Sequence, residues 1–163
     1  PYNIKRVKVV DAGNSAGRII FIDNQNYNNG IQLNQINGPE SDLPVTFIFS
    51  ALKPVVLTGT ITGNVRMFFA GDFQFGMGTE TVAYNGLTMF MSNGDMKICG
   101  SIWSDKNNPG GGFLSSDKDI TIVESAPFQG QIQCRGNFKT SGMIQFNDSV
   151  LKAPGFTVPK GMK

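Results

Sequence analysis

The chain has 163 residues, of which 40% are hydrophobic and 16% charged, and its formal net charge is +2. That length suits a single domain with a core of its own, and charged residues fall well short of the usual ~25%. There is no run of 18 apolar residues, so no membrane-spanning helix is expected, and there is no histidine, the commonest general base and zinc ligand.

The first residues, Pro1 to Arg6, lack the apolar stretch of a secretory signal. Lys5, Arg6 and Lys8 make this end cationic, with Arg6 and Lys8 on one strand face and Val7 and Val9 on the other. Next comes the unbroken apolar run Ile19-Ile20-Phe21-Ile22, which suits a strand buried on both faces. A polar loop follows, Asp23 to Asn29. Its Tyr27 and Asn28 pair an aromatic face with an amide, the combination that grips a sugar. Its oxygen ligands include one carboxylate, too few for a tight calcium site. A second loop, Asn37 to Pro44, carries Gly38, Pro39 and Pro44.

Two period-two runs come next. Val45, Phe47 and Phe49 alternate with Thr46, Ile48 and Ser50, and Val65, Met67 and Phe69 alternate with Asn64, Arg66 and Phe68. After turns at Gly71-Asp72, Gly76 and Gly78, the dipeptides Asn85-Gly86 and Asn93-Gly94 flank Leu87 to Ser92. Asn-Gly accepts the positive φ of a hairpin turn, so an antiparallel meander is expected over 79–84, 87–92 and 95–104. A flexible loop from Ser104 to Gly112 sets Asn107 and Asn108 beside Trp103, a second aromatic-amide pairing suited to a glycan. Its triple glycine lacks the GK[ST] ending of a phosphate loop.

Asp117 and Asp119 share a strand face, but nothing marks the groove that paired carboxylates need for glycoside chemistry. A long alternation then runs from Gln131 to Lys139 through Ile132, Cys134, Gly136 and Phe138. The tail, 153–163, holds Pro154, Gly155, Pro159 and Gly161 and reads as an extended arm, with Phe156, Val158 and Met162 free to dock on a neighbouring subunit. A faint echo of glycine-led strands, at Gly17, Gly59, Gly100 and Gly130, would favour stacked β-units if it were a true repeat.

Cys99 and Cys134 are too few for a disulfide scaffold or a four-cysteine zinc site and read as free thiols. Residues 11–151 hold 8 basic and 12 acidic side chains, so cationic ends flank a mildly acidic body. No basic stripe is interleaved with aromatics, and direct nucleic-acid contact is not expected.

These readings give one all-β domain over 1–152 with a C-terminal arm over 153–163. The expected fold is an antiparallel β-sandwich of jelly-roll type, the alternative being a β-solenoid or open barrel. The expected function is a non-enzymatic structural assembly protein: a virion or phage particle component (capsid, spike, decoration or tail subunit) or a surface-appendage subunit, placed at a virion or cell surface. It would need no cofactor or metal. Its partners would be other protein subunits, in a homo- or hetero-oligomer, touched through Lys5, Arg6, Lys8, Phe156, Val158 and Met162. The alternative is a carbohydrate- or receptor-binding module using Tyr27, Asn28, Trp103, Asn107 and Asn108.

Overall fold

The structure, a computed structural model, describes residues 5–27, 29–76, 87–102, 111–123, 128–142 and 144–146. Among these residues there is strand and no helix. Every strand pairing is parallel, and the chain winds as a β-solenoid. One winding carries β1 (Lys5–Val7), β2 (Val10–Asp11) and β3 (Ile19–Ile22). The next carries β4 (Ile31–Leu33), β5 (Ile36–Asn37) and β6 (Val45–Phe49), and the next β7 (Val55–Leu57), β8 (Ile61–Thr62) and β9 (Val65–Phe69).

From there each winding shows two strands. These are β10 (Phe73–Phe75) with β11 (Leu87–Ser92), β12 (Met96–Ile98) with β13 (Gly111–Ser116), β14 (Ile120–Ile122) with β15 (Phe128–Cys134), and β16 (Phe138–Thr140) with β17 (Ile144–Phe146). The first sheet stacks β1-β4-β7-β10-β12-β14-β16, the second β3-β6-β9-β11-β13-β15-β17, and a three-stranded third β2-β5-β8.

Alternation within each strand decides which side chains enter the core, and parallel register stacks them in columns. On the first sheet one inward column runs Ile31, Val55, Phe73, Met96, Ile120, and its neighbour runs Leu33, Leu57, Phe75, Ile98, Ile122. On the second sheet Phe47, Met67, Phe90 and Leu114 face them across the interior. The rings interlock at the centre: Phe69 stacks on Phe73 at 4.0 Å and on Phe49 at 5.2 Å, and Phe90 leans on Phe73 at 4.7 Å.

The corner that leaves the second sheet for the next winding is built from a recurring motif: Ser92-Asn93-Gly94-Asp95, Ser116-Asp117-Lys118-Asp119 and, in altered form, Cys134-Arg135-Gly136-Asn137. The Ser92 hydroxyl donates to the Gly71 carbonyl at 2.6 Å and accepts from the Gly94 amide at 2.9 Å. Ser116 repeats this with the Gly94 carbonyl (2.7 Å) and the Lys118 amide (2.9 Å). The aspartates link adjacent windings: Asp72 Oδ1 accepts the Asp95 amide, Asp95 Oδ1 the Asp119 amide, and Asp119 Oδ1 the Asn137 amide, at 2.9, 3.2 and 2.8 Å. Backbone groups at the bend, which no ladder could satisfy, are thereby paired. Ser92→Ala should therefore cost about 1–3 kcal/mol, since both buried partners lose their bond. A urea titration reads this as a lower midpoint at unchanged slope.

Parallel pairing overturns the antiparallel sandwich, the jelly roll and the hairpin meander; of the forms considered, the solenoid is the one the chain adopts. Leu87–Ser92 and Met96–Ile98 are strands, as expected, but they belong to different sheets, and Asn93-Gly94 is the corner between them. No residue other than glycine has positive φ among those described, and Gly94 does not either. Glycine is needed at position 94 for closeness: a Cβ would lie 2.8 Å from the Asp72 amide nitrogen and would also strike the Asp72 carboxylate. The meander segment 79–84 falls outside the described residues.

Three further expectations are revised. The alternation from Gln131 to Lys139 is two strands on two sheets, broken at Arg135-Gly136. Ile19–Ile22 is an edge strand among the described residues, with Ile20 and Ile22 packed inward against the core and Ile19 and Phe21 pointing outward and open to solvent. The glycine echo is not the stacking register: Ile19 stacks on Thr46, whereas Ile61 stacks on Ile36.

Candidate interaction surface

The outward positions of the two large sheets differ in chemistry. On the first sheet the outward column reads Arg6, Gln32, Val56, Gln74, Lys97, Thr121, Lys139, mostly polar, as a solvated face should be. A trough of about 400 Å³ runs along it, floored by Val56, Gln74, Lys97 and Thr121 and walled by Asp72, Asp95 and Asp119. Those carboxylates are already engaged by the amides of the next winding. Among the described residues no group of three or more His, Cys, Asp or Glu side chains could hold a metal ion.

On the second sheet the outward column reads Phe21, Ile48, Phe68, Met91, Ser115, Gln133. Its first four members are large and apolar on four adjacent strands. Phe21 is 72% exposed, and Ile48, Phe68 and Met91 are half-buried. A groove of about 230 Å³ follows the column and is also lined by Ser50, Ala70 and Asn93. The parallel outward column is Ile19, Thr46, Arg66, Met89, Phe113, Gln131, in which Met89 and Phe113 are closed off from solvent.

Arg66 sits among these apolar neighbours. Its Nε and Nη2 are enclosed without a hydrogen-bond partner, and burial pulls its guanidinium below the usual value. Such a group still carries its charge at neutral pH.

Of the residues singled out from the sequence, Arg6 and Lys8 are exposed on the first winding, where Lys5 opens β1. Tyr27 is half-buried and packs against the core. Beside it, Asn24 is fully buried, its Oδ1 accepting the Ala51 amide at 2.9 Å, so this amide ties loop to corner. Asn28, Trp103, Asn107, Asn108, Phe156, Val158 and Met162 lie outside the described residues. Cys99 is buried and Cys134 half-buried, and neither forms a disulfide.

The apolar outward column was missed from sequence. Its signal was present: Ile48 and Phe68 occupy the polar parity of otherwise alternating strands, so those runs are apolar on both faces.

No protein-family model matches the chain, and no curated protein or solved structure is significantly similar to it.

Proposed function

We propose that the chain is a non-catalytic structural subunit of a larger protein assembly, of the kind from which virion particles and surface appendages are built. The observation that carries this reading is the column Phe21, Ile48, Phe68, Met91 on the outside of the second sheet. Phe21 is exposed and Ile48, Phe68 and Met91 are half-buried, and contiguous apolar surface on a regular scaffold marks a contact with another chain. The lack of histidine and the regular, hydrogen-bonded windings suit a load-bearing part better than a reaction centre.

The occupant named here is a neighbouring copy of the chain, laid side by side along the solenoid axis. Seven strands about 4.8 Å apart make the sheet roughly 34 Å tall, and strands of about five residues make it roughly 16 Å wide.

Light scattering over a hundredfold range of concentration tests the reading. The expected result is a mass that rises above the monomer, and a return to monomer when Phe21 and Phe68 are both changed to Lys. A wild-type chain that stays monomeric throughout would sink the proposal and favour a monomeric glycan- or receptor-binding module, which retention on a glycan array would then reveal.

A further inference from the structure

We infer that Asn93-Gly94 is a latent site of covalent self-modification, held unreactive by the hydrogen bonds of its corner and released to react when that corner opens. The inference stands on the corner alone and does not depend on the assembly reading above.

An asparagine followed by glycine is chemically unstable in water. The glycine amide nitrogen, on giving up its proton, attacks the asparagine Cγ. A bond forms between that nitrogen and Cγ, the Cγ–Nδ2 bond breaks, and ammonia leaves with the proton. Water then opens the five-membered ring at either carbonyl, giving aspartate or isoaspartate. Glycine favours the attack because it has no Cβ to hinder it. Water is the one co-reactant, and the step requires that the glycine nitrogen be free to turn toward Cγ.

At this corner the electrophile is open and the nucleophile is held. Asn93 is exposed and Gly94 is buried. The Gly94 amide donates to Ser92 Oγ at 2.9 Å, in a bond that is itself buried. The Gly94 carbonyl accepts from Ser116 Oγ at 2.7 Å. The Gly71-Asp72 backbone passes so close that a Cβ on Gly94 would come within 2.8 Å of the Gly71 carbonyl carbon and the Asp72 amide nitrogen. On the other side, the Asn93 amide donates to the Phe69 carbonyl at 3.0 Å. Turning the Gly94 nitrogen toward Cγ would therefore break buried hydrogen bonds.

Two more Asn-Gly pairs lie among the described residues, and backbone groups hold both. The Gly30 amide donates to the Tyr27 carbonyl at 2.8 Å, and the Gly38 amide to the Thr62 carbonyl at 2.7 Å. Of these three, Gly94 alone is held by a side-chain hydroxyl, which a substitution can remove. Asn85-Gly86 lies outside the described residues.

Reaction at Asn93 would weaken the corner. Ser92 is in register with Ser116, which aligns Asn93 with Asp117 on the next winding. A carboxylate at position 93 would face Asp117, and like charges opposite each other on adjacent strands destabilise. Isoaspartate would also lengthen the main chain by one carbon between Ser92 and Gly94, spoiling the spacing of the bonds that close the corner.

The test follows the full chain in mildly alkaline buffer, folded or in urea, and dilute enough that contacts between copies do not contribute. Peptide mapping by mass spectrometry reads the conversion of each Asn-Gly to aspartate and isoaspartate. Fast conversion at Asn29, Asn37 and Asn93 is expected in urea, and slow conversion at all three in the folded chain. Ser92→Ala, still folded, should raise the Asn93 rate roughly tenfold, as the loss of one hydrogen bond implies, and leave Asn29 and Asn37 slow. Asn93→Asp should lower the urea midpoint, with a gap from wild type that narrows in high salt. Equal Asn93 rates in the folded and unfolded wild type would overturn the inference without recourse to any variant. So would a folded Ser92→Ala chain whose Asn93 rate is unchanged, or rises only in step with Asn29 and Asn37. An Asn93→Asp chain as stable as the wild type would overturn the weakening of the corner.

Discussion

Phe90→Ala should be among the most damaging single changes to this chain, lowering stability by about 3–5 kcal/mol. Phe90 is fully buried on β11, and its ring lies 4.7 Å from Phe73, 5.8 Å from Phe75 and 6.5 Å from Phe69. Those three rings belong to two different sheets, so truncation opens a cavity where the sheets meet. Collapse cannot fill it, because neighbouring windings fix the sheet spacing. Phe21→Ala is the matched control: the same atoms are removed from a side chain already 72% exposed, and the cost should be under ~1 kcal/mol. Urea titrations of the two variants measure the difference. Comparable losses would mean that the aromatic cluster is not the keystone described here.

Gly130→Ala should cost about 2–6 kcal/mol through the backbone. Gly130 has φ +151°, and it stacks in register on Gly112. A Cβ there would lie 2.8 Å from the Gly112 amide nitrogen and carbonyl carbon and would strike the carbonyl oxygen. These atoms belong to β13 and cannot swing aside as a side chain could, so the ladder between β13 and β15 must part. The strained φ adds ~1–3 kcal/mol and the overpacking a similar amount. Faster amide exchange in β13, β15 and β17, with β4, β6 and β7 unchanged, would show that the damage is local to that part of the stack.

The strands were readable from sequence and their pairing was not, and the reason is physical. Alternation in Val45–Phe49 or Val65–Phe69 reports which face of a strand is wet; it is silent on which strand lies alongside and in which direction. Pairing is written in likeness between windings, and the clearest likeness is the corner motif that ends in Asp95, Asp119 and Asn137. Steps of 23, 24 and 18 residues link Asp72 to those three, so no fixed period exposes the repeat. Asn93-Gly94 compounded the error. The dipeptide is a strong hairpin signal, yet here its glycine is required because the Gly71-Asp72 backbone passes within contact of it. The apolar outward column was equally open to view in Ile48 and Phe68, but an apolar residue at the wrong parity looks like noise until the register aligns it with its neighbours.

The unequal windings also set how the molecule would come apart under tension. In-register positions on the first sheet advance from Lys5 to Ile31, Val55, Phe73, Met96, Ile120 and Phe138, steps of 26, 24, 18, 23, 24 and 18 residues. A pull along the solenoid axis loads the junction between windings one strand pair at a time, as a peeling seam does, and never shears a whole sheet at once. Each winding that yields releases its own contour, roughly 60 Å for the short ones and roughly 90 Å for the longest. Stretched from its ends, the chain would pay out like a ratchet with teeth of uneven width, and the order of the step lengths would tell which end let go first.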